Sequence, residues 1–299
     1  WLKQKAARLW ATPPGRPRTF PPAPRRRAAP VRRGPAAAAM GQAVSTIAFP
    51  APSKDSVPFF RRHSARLYLR PDGKPADGPG EDVIAAVHIR RNGADVTGAI
   101  GRALLYSHGN AEDLGQILPY LDRLAEVCAA DVVAYDYPGY CDSGGQPSEE
   151  GCYRAIDAAY AYLKEKVNND PSKIVAFGRS IGSGPTVDLV SRKPEIGAMV
   201  LQSPIESAIR TVMSKRAQWF LQGIDIFRNY DKAPLIKCPA LLMHGTADQV
   251  VPYHCGKAIH ELLVNAEPIV PFERRGHNDM PEPDTMRKVK VFLDSLSRR

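Results

Sequence analysis

Three residues late in the chain have the types and the order that nucleophilic acyl transfer requires. Ser180 lies in the run GRSIG (178–182), which fits the G-x-S-x-G pattern. Asp248 follows in HGTADQVVP (244–252), and His277 follows in GHND (276–279). A serine hydroxyl becomes a nucleophile when a histidine takes its proton, and a carboxylate must hold that histidine's tautomer. The order Ser, Asp, His therefore predicts a catalytic triad of Ser180, Asp248 and His277.

The setting of the GRSIG run supports this interpretation. Residues 173–178 have the pattern of a buried strand and residues 181–192 that of a helix. Gly178 and Gly182 are then expected where neighbouring backbone approaches too closely for a Cβ atom. Ser180 would sit on a strained strand-to-helix corner, at a helix N-terminus that favours developing negative charge. The competing interpretation, a Gly/Ser turn without function, does not account for the two partners downstream.

Acyl transfer also needs N–H donors for the oxyanion of the tetrahedral intermediate. In α/β-hydrolases these are the N–H after the nucleophile and one from the loop after the third strand. Here they would be Ile181 and, in the loop HGNA (108–111), Asn110 as first choice with Ala111 second. The same segment also fits a plain helix entry capped by Asn110 or Asp113. Both can hold, because capping uses the side chain and the oxyanion hole uses the backbone.

Short apolar runs alternate with amphipathic stretches from about residue 64 onwards. The predicted strands are 65–70, 83–90, 102–107, 131–136, 173–178, 198–202, 239–244 and 268–273. The predicted helices are 113–129, 149–168, 181–192, 205–222, 253–265 and 284–297. Continuous apolar strands indicate a parallel sheet covered on both faces, and the first two strands, with no helix between them, should pair antiparallel. We predict an α/β-hydrolase fold with a doubly wound, mostly parallel sheet of about eight strands and a short lid segment.

Charge and cysteine usage exclude several other function classes. The net charge is +10, but residues 1–39 hold ten of the 41 basic residues and no acid, so the remainder has 31 bases and 31 acids. The domain is thus neutral and has no nucleic-acid-binding signature. No run approaches the roughly 18–20 apolar residues of a membrane span. Five cysteines without a CxxC pair indicate neither a disulfide framework nor a zinc site, and no metal or organic cofactor is implied.

The chain divides into three parts by composition. Residues 1–39, rich in Pro, Arg and Ala, are expected to be a disordered basic leader: an organelle transit peptide, an interaction tail or untranslated upstream sequence. Residues 40–63 are expected to be an N-terminal membrane-anchoring segment, and residues 64–299 the hydrolase domain. The run MGQAVS (40–45) fits the N-myristoylation pattern, with Gly41 as the acceptor.

One myristoyl chain binds membranes only marginally, with a constant of about 10⁴ per molar, so a second signal is needed. The residues that could supply it are Phe49, Phe59, Phe60, Arg61 and Arg62.

Several blocks, in order, resemble one known family. They are SHGNAEDLGQ (107–116), YDYPGYCDSGGQPSE (135–149), FGRSIGSGPTVDLVSR (177–192), LQSPIESAIR (201–210), MHGTADQVVP (243–252) and GHND (276–279). From about residue 46 to 297 the chain is similar to the alpha/beta hydrolase domain-containing 17 family of protein depalmitoylases. The resemblance implies cleavage of S-palmitoyl thioesters on membrane-associated proteins, at the cytoplasmic face of the plasma or an endosomal membrane. Animal members carry an N-terminal cysteine cluster, which this sequence lacks, and Cys141 stands where a glycine is usual.

The residues themselves say less about the substrate. Four apolar side chains near the nucleophile are candidates for an acyl groove: Trp219, Phe220, Leu221 and Phe227. They fit equally well the core face of an amphipathic helix. A thiol leaving group, with a pKa near 8.5, departs readily, but an oxygen ester is also compatible. A general carboxylesterase, lysophospholipase or aminopeptidase-like hydrolase therefore remains an alternative, as does a catalytically silent binding protein. An organelle location directed by residues 1–39 is the alternative to the cytoplasmic membrane surface.

Overall fold

The strands form a single sheet. In this computed structural model the described residues are 49, 51–90, 101–167, 170–212 and 225–297, and they include nine strands. The strands are β1 Arg66–Leu69, β2 Pro75–Ala76, β3 Ile84–Ile89, β4 Ala103–Ser107, β5 Asp131–Tyr135, β6 Ile174–Arg179, β7 Ala198–Gln202, β8 Ala240–Gly245 and β9 Val270–Phe272. Their order across the sheet is β2-β1-β3-β5-β4-β6-β7-β8-β9.

Six strands, β4 to β9, run parallel, as the apolar pattern predicts. The first two predicted strands correspond to β1 and β3, and their antiparallel pairing is confirmed. β3 is also antiparallel to β5. β2, a two-residue edge strand, is the one addition to the eight predicted strands, and it is too short to give a periodic signal.

The central strands are apolar because helices cover both faces of the sheet. Every residue of β4, β7 and β8 is buried, and two apolar clusters lie on opposite sides of these strands. The helices among the described residues are α1 Val57–Arg62, α2 Leu114–Cys128, α3 Glu149–Lys166, α4 Ser183–Arg192, α5 Ala208–Val212, α6 Asn229–Lys232, α7 Tyr253–Leu262 and α8 Glu282–Leu296. The side chains of Asp113 and Ser148 cap α2 and α3 by accepting the N–H of Gln116 and of Gly151.

Two predicted helices begin two or three residues later than expected. The helix predicted over 181–192 begins at Ser183, because Ser180–Gly182 form a 3₁₀ turn. The helix predicted over 205–222 begins at Ala208, after an irregular stretch that follows β7. Within the predicted lid, residues 213–224 lie outside the described residues.

The sheet changes winding direction at β4. The chain passes from β4 to β5 on one side and then to β6 on the other side of β4. The carboxyl ends of β4 and β6 therefore open a crevice with no crossover helix above it, which is where open α/β sheets bind ligands. Ser180 directly follows β6, and the loop 108–112, which we call the β4 loop, directly follows β4.

The predicted membrane-anchoring segment, 40–63, contributes to the core. Phe49 is 4% exposed and packs edge-on against Phe227, and Phe60 is fully buried against Tyr68. The prediction that Phe49 and Phe60 help to attach the chain to a membrane is wrong, because their apolar surface is already covered.

The other proposed attachment residues, Phe59, Arg61 and Arg62, are exposed. The Arg61 side chain, although 57% exposed, donates both to Asp142 Oδ1 and to Asp142 Oδ2, at 2.8 Å each. The packed structure thus includes α1 and begins before residue 64. No helix within the described ranges is long and apolar enough to cross a bilayer.

Candidate active site

The corner at Ser180 has the strain that the sequence predicts. Ser180 has φ of +54°, in the left-handed region. A Cβ on Gly178 would lie 2.6 Å from the carbonyl oxygen of Gly182, and a Cβ on Gly182 would lie 2.2 Å from that of Ser107. The glycines at both ends of the motif are therefore required by close backbone approach. The turn holds the Ser180 side chain above the carboxyl end of β6.

Ser180, His277 and Asp248 lie in one hydrogen-bonded line, although 97 and 29 positions separate them along the chain. Ser180 Oγ is 2.9 Å from His277 Nε2, and His277 Nδ1 is 2.7 Å from Asp248 Oδ2. Each element places one member: β6 ends at Ser180, β8 leads to Asp248, and β9 leads to His277. The histidine side chain is 9% exposed, and the aspartate side chain has no exposed surface.

The surroundings of Asp248 keep it ionised. Burial acts to raise the pKa of Asp248, but hydrogen bonds from His244, His277 and the backbone outweigh it and hold the pKa well below its usual value. Asp248 Oδ1 accepts the N–H of Val250 at 2.9 Å and of Val251 at 2.8 Å. His244, at the end of β8, lies with Nε2 2.8 Å from the Val251 carbonyl and 3.4 Å from Asp248 Oδ2.

This charge fixes the tautomer of His277. A carboxylate can only accept, so Nδ1 carries the proton that it donates to Asp248. Nε2 is then unprotonated and accepts the Ser180 hydroxyl proton, as a general base requires. The nearby Asp279 cannot replace Asp248, because its Oδ1 accepts the backbone N–H of Gly276.

The candidate oxyanion donors lie next to the serine. Ile181 follows Ser180 in the elbow turn, and the β4 loop faces it from the neighbouring strand. Ala111 has φ of +56°, which turns the loop, and its N–H lies 3.2 Å from the Asn110 side-chain oxygen. That oxygen also accepts from Tyr140 at 3.0 Å. Asp113, not Asn110, caps α2, so the helix-cap and oxyanion interpretations of this segment are compatible.

Arg179, the residue before the nucleophile, forms a clamp that the sequence pattern did not predict. Its guanidinium forms an ion pair with Glu112 of the β4 loop and donates to Asn278 Oδ1 at 2.9 Å. Glu112 in turn accepts the N–H of Gly109 at 2.9 Å. Arg179 thus connects the β4 loop with the loop that carries His277. The only sequence signal was the charge at the variable position of the motif.

A cleft of about 530 Å³ opens beside the triad. Its lining includes His277 and Asn278, a stripe of α2 from Gln116 to Arg123, and the ion pair of Arg123 with Glu282. We call it the His277 cleft. Charged and amide groups contribute much of its wall.

None of the four predicted acyl-groove residues is found lining a groove among the described residues. Trp219, Phe220 and Leu221, like the predicted acylation site Gly41, lie outside the described residues. Phe227 is fully buried, and its ring fills the space where Gly184 of α4 has no side chain. Phe227 belongs to the core beneath the nucleophile helix, because its ring has no surface left to line a groove. Within the described part of the chain, no three His, Cys, Asp or Glu residues are grouped so as to hold a metal ion.

Several known proteins are similar to this chain in sequence. The sequence model of the family described as Chlamydia CHLPS protein (DUF818) matches residues 83–193. The alpha/beta hydrolase domain-containing protein aho-3 of Caenorhabditis elegans is 39% identical over 195 residues, covering 64% of this chain and 57% of that protein. Alpha/beta hydrolase domain-containing protein 17C of Homo sapiens is 38% identical over 191 residues, covering 64% and 57%. The chain spans about three fifths of the length of the curated relatives it matches.

Solved structures of low sequence identity share the fold. Est1E from Butyrivibrio proteoclasticus, with ferulic acid bound, aligns with a TM-score of 0.59 at 16% identity, covering 75% of this chain and all of that one. The monoacylglycerol lipase of Paleococcus ferrophilus aligns with a TM-score of 0.55 at 19% identity, covering 71% and 99%. The predicted fold and the family resemblance are confirmed: the chain has the α/β-hydrolase fold and is a homologue of the proteins named alpha/beta hydrolase domain-containing protein 17.

Proposed function

We propose that the protein is a serine hydrolase that cleaves acyl thioesters, and that its substrates are S-palmitoyl groups on membrane-associated proteins. The observation that carries the hydrolase part is the line from Ser180 Oγ through His277 to Asp248, with distances of 2.9 Å and 2.7 Å. The thioester part rests on the resemblance to depalmitoylases.

The first half-reaction forms an acyl-enzyme. His277 Nε2 takes the hydroxyl proton as Ser180 Oγ bonds to the carbonyl carbon, and the carbonyl oxygen becomes an oxyanion held by the N–H of Ile181 and a donor of the β4 loop. The intermediate collapses, the carbon–sulfur bond breaks, and His277 returns the proton to the departing thiolate. Asp248 stays ionised and stabilises the imidazolium in between.

The second half-reaction regenerates the serine. Water attacks the acyl-serine carbonyl while His277 Nε2 removes its proton, and collapse of this intermediate breaks the carbon–Oγ bond. His277 protonates Ser180 Oγ, and the fatty acid leaves. No group outside this chain and water is required for the atoms to balance.

The proposed location is the cytoplasmic surface of a membrane, with S-acylated proteins as partners. Myristoylation of Gly41 would provide the first attachment. Phe59, which is 63% exposed, and the exposed Arg62 are on the described surface and could contact lipid beside it. Mass spectrometry of the native N-terminus tests the acylation of Gly41 directly.

Two measurements test the activity. A fluorophosphonate probe should label the wild type and not Ser180→Ala, with thermal melting to establish that the variant is folded. Hydrolysis of a palmitoyl-cysteine peptide should then be compared with that of short p-nitrophenyl esters. A folded wild type that takes no label would favour a catalytically silent binding protein. Turnover of short oxygen esters alone would overturn the thioesterase assignment in favour of a general carboxylesterase.

A further inference from the structure

We infer that the His277 cleft binds the polypeptide that carries the acyl group, on the leaving-group side of the scissile bond. This inference rests on the proposed function, since it names the part of that substrate which the cleft holds. It also assigns a role to charged residues that the triad does not use.

The position of the cleft identifies which half of the substrate it receives. The leaving sulfur must reach His277 Nε2, because this nitrogen returns the proton. His277, Asn278 and Ala111 of the β4 loop all line the cleft. A substrate with its carbonyl oxygen directed at the β4 loop therefore has its leaving group at the mouth of this cleft.

The chemistry of the wall suits a peptide and not a fatty acyl chain. Four charged side chains line the cleft in two ion pairs, Arg179 with Glu112 and Arg123 with Glu282. An acyl chain lying here would remove water from these groups and offer them no hydrogen bond, which is costly. A peptide backbone supplies both donors and acceptors to them.

The length of the cleft also fits a peptide. One wall of the cleft is a stripe of α2 that runs from Gln116 to Arg123. These two residues are seven positions apart, which is about 10 Å along a helix axis. An extended peptide advances about 3.3 Å per residue, so the stripe accommodates about three residues. The pair of Arg123 and Glu282, each with a side chain about half exposed, would then lie about three residues from the acylated cysteine.

A buried amide at the floor supports a ligand with N–H groups. Gln202 ends β7, lines the cleft and is 8% exposed. Its Oε1 is buried and has no hydrogen-bond partner in the described part of the chain. Buried polar atoms without partners are rare in folded proteins. A backbone N–H of the bound peptide would provide the missing donor after a small rotation of the amide.

The ion pair of Arg123 with Glu282, at the end of the α2 stripe away from Gln116, provides a directional test. Peptides with an acylated cysteine followed at the third position by either Lys or Glu are compared with the same acyl group on N-acetylcysteamine. Arg123→Glu should shift the ratio of kcat/KM toward the Lys peptide, and Glu282→Lys toward the Glu peptide, each by about three- to tenfold. Both charge variants should hydrolyse the N-acetylcysteamine thioester at rates within about twofold of the wild-type rate. Arg287→Ala is the matched control, because it removes an exposed ion pair with Asp284 on α8, the helix that carries Glu282, but outside the cleft.

A second variant tests the floor. Gln202→Met, which is similar in shape, should raise KM for both peptides without changing that for the small thioester. If wild type cleaves the small thioester but neither charge variant alters peptide selectivity, the cleft assignment is overturned and the proposed function stands. If no thioester is cleaved at all, the proposed function fails, and the cleft assignment fails with it.

Discussion

At the scale of single residues, the site depends on one charge. Asp248 accepts two backbone N–H groups with one oxygen and His277 with the other, while His244 approaches that second oxygen. The backbone contacts fix where the carboxylate points, and the negative charge fixes which nitrogen of His277 carries a proton. Replacing the charge while keeping the shape separates these two effects.

Asp248→Asn should preserve the fold and abolish most activity. The amide can donate to His277 Nδ1, which stabilises the tautomer with the proton on Nε2 and removes the base. A fall in kcat of about 10⁴-fold is expected from this loss. Steady-state kinetics on a thioester measure it, with circular dichroism as the control for folding. Loss of less than tenfold would contradict the tautomer argument.

The lowered pKa of Asp248 predicts that its charge stabilises the folded chain to a degree that depends on pH. The pKa of Asp248 is lower in the folded chain than its unfolded value of about 3.9, so the unfolded chain takes up a proton first as the pH falls. The contribution of this charge to stability is thus fully present above about pH 4 and is lost progressively below it. Denaturant melts of wild type and Asp248→Asn at pH 7 and pH 3 should show the difference between the two proteins shrinking at pH 3. If the difference in unfolding free energy were larger at pH 3 than at pH 7, the pKa of Asp248 would be raised by folding and not lowered.

At the scale of elements, the elbow works because β6 and β4 lie in contact. The Cα of Gly182 faces the carbonyls of Ser107 and His108, which are the end of β4 and the start of its loop. Any side chain at Gly182 would push the two apart and move the serine relative to the β4 loop.

Gly182→Ala should therefore lower both stability and activity. The added methyl would meet backbone at 2.2 Å, and overpacking of this kind costs about 1–3 kcal/mol. Gly78→Ala is the matched control, since a Cβ there has no neighbour within 4 Å. Chemical denaturation should show a loss only for the first variant. Equal stability of the two would mean that the close approach at the elbow is not rigid.

The Arg179 clamp joins the end of β6 to the β4 loop and to the loop that carries His277. Arg179→Met should lower kcat by about tenfold, because the β4 loop and the His277 loop lose their shared partner. Arg179→Lys should be intermediate, since one ammonium cannot serve both loops in a fork. Adding Glu112→Gln to Arg179→Met should cost little more, as the pair acts together. Additive losses would show that Arg179 works independently of Glu112.

At the scale of the whole molecule, local patterns predicted the elements and the order of the triad. Apolar runs at β4, β6, β7 and β8 predicted the parallel core, because burial on both faces leaves a continuous signal. Ser180 directly follows β6, and Asp248 and His277 lie in the loops after β8 and β9, so each could be chosen by its place after a predicted strand. The proximity of the three side chains follows from the sheet, whose parallel strands end at one edge.

Contacts between distant segments could not be predicted in this way. Arg179 and Asn278 are 99 positions apart, and Arg61 and Asp142 are 81 apart, with no periodicity to connect them. Phe49 and Phe60 gave the same apolar signal whether they met a membrane or the core. Their burial depends on the shape of the folded domain, which a local pattern does not contain.

The two adjacent phenylalanines of α1 test whether this segment belongs to the fold. Phe60 is fully buried, packing edge-on against Tyr68, whereas Phe59 is 63% exposed. Phe60→Ala should destabilise the protein by about 3–5 kcal/mol, because it leaves a cavity in the core. Phe59→Ala, the same chemical change one residue earlier, should lie within about 0.5 kcal/mol of wild type. Denaturant unfolding measures both. If Phe60→Ala is as stable as Phe59→Ala, α1 is not part of the cooperative unit. That result would favour the prediction that residues 40–63 form a separate anchoring segment.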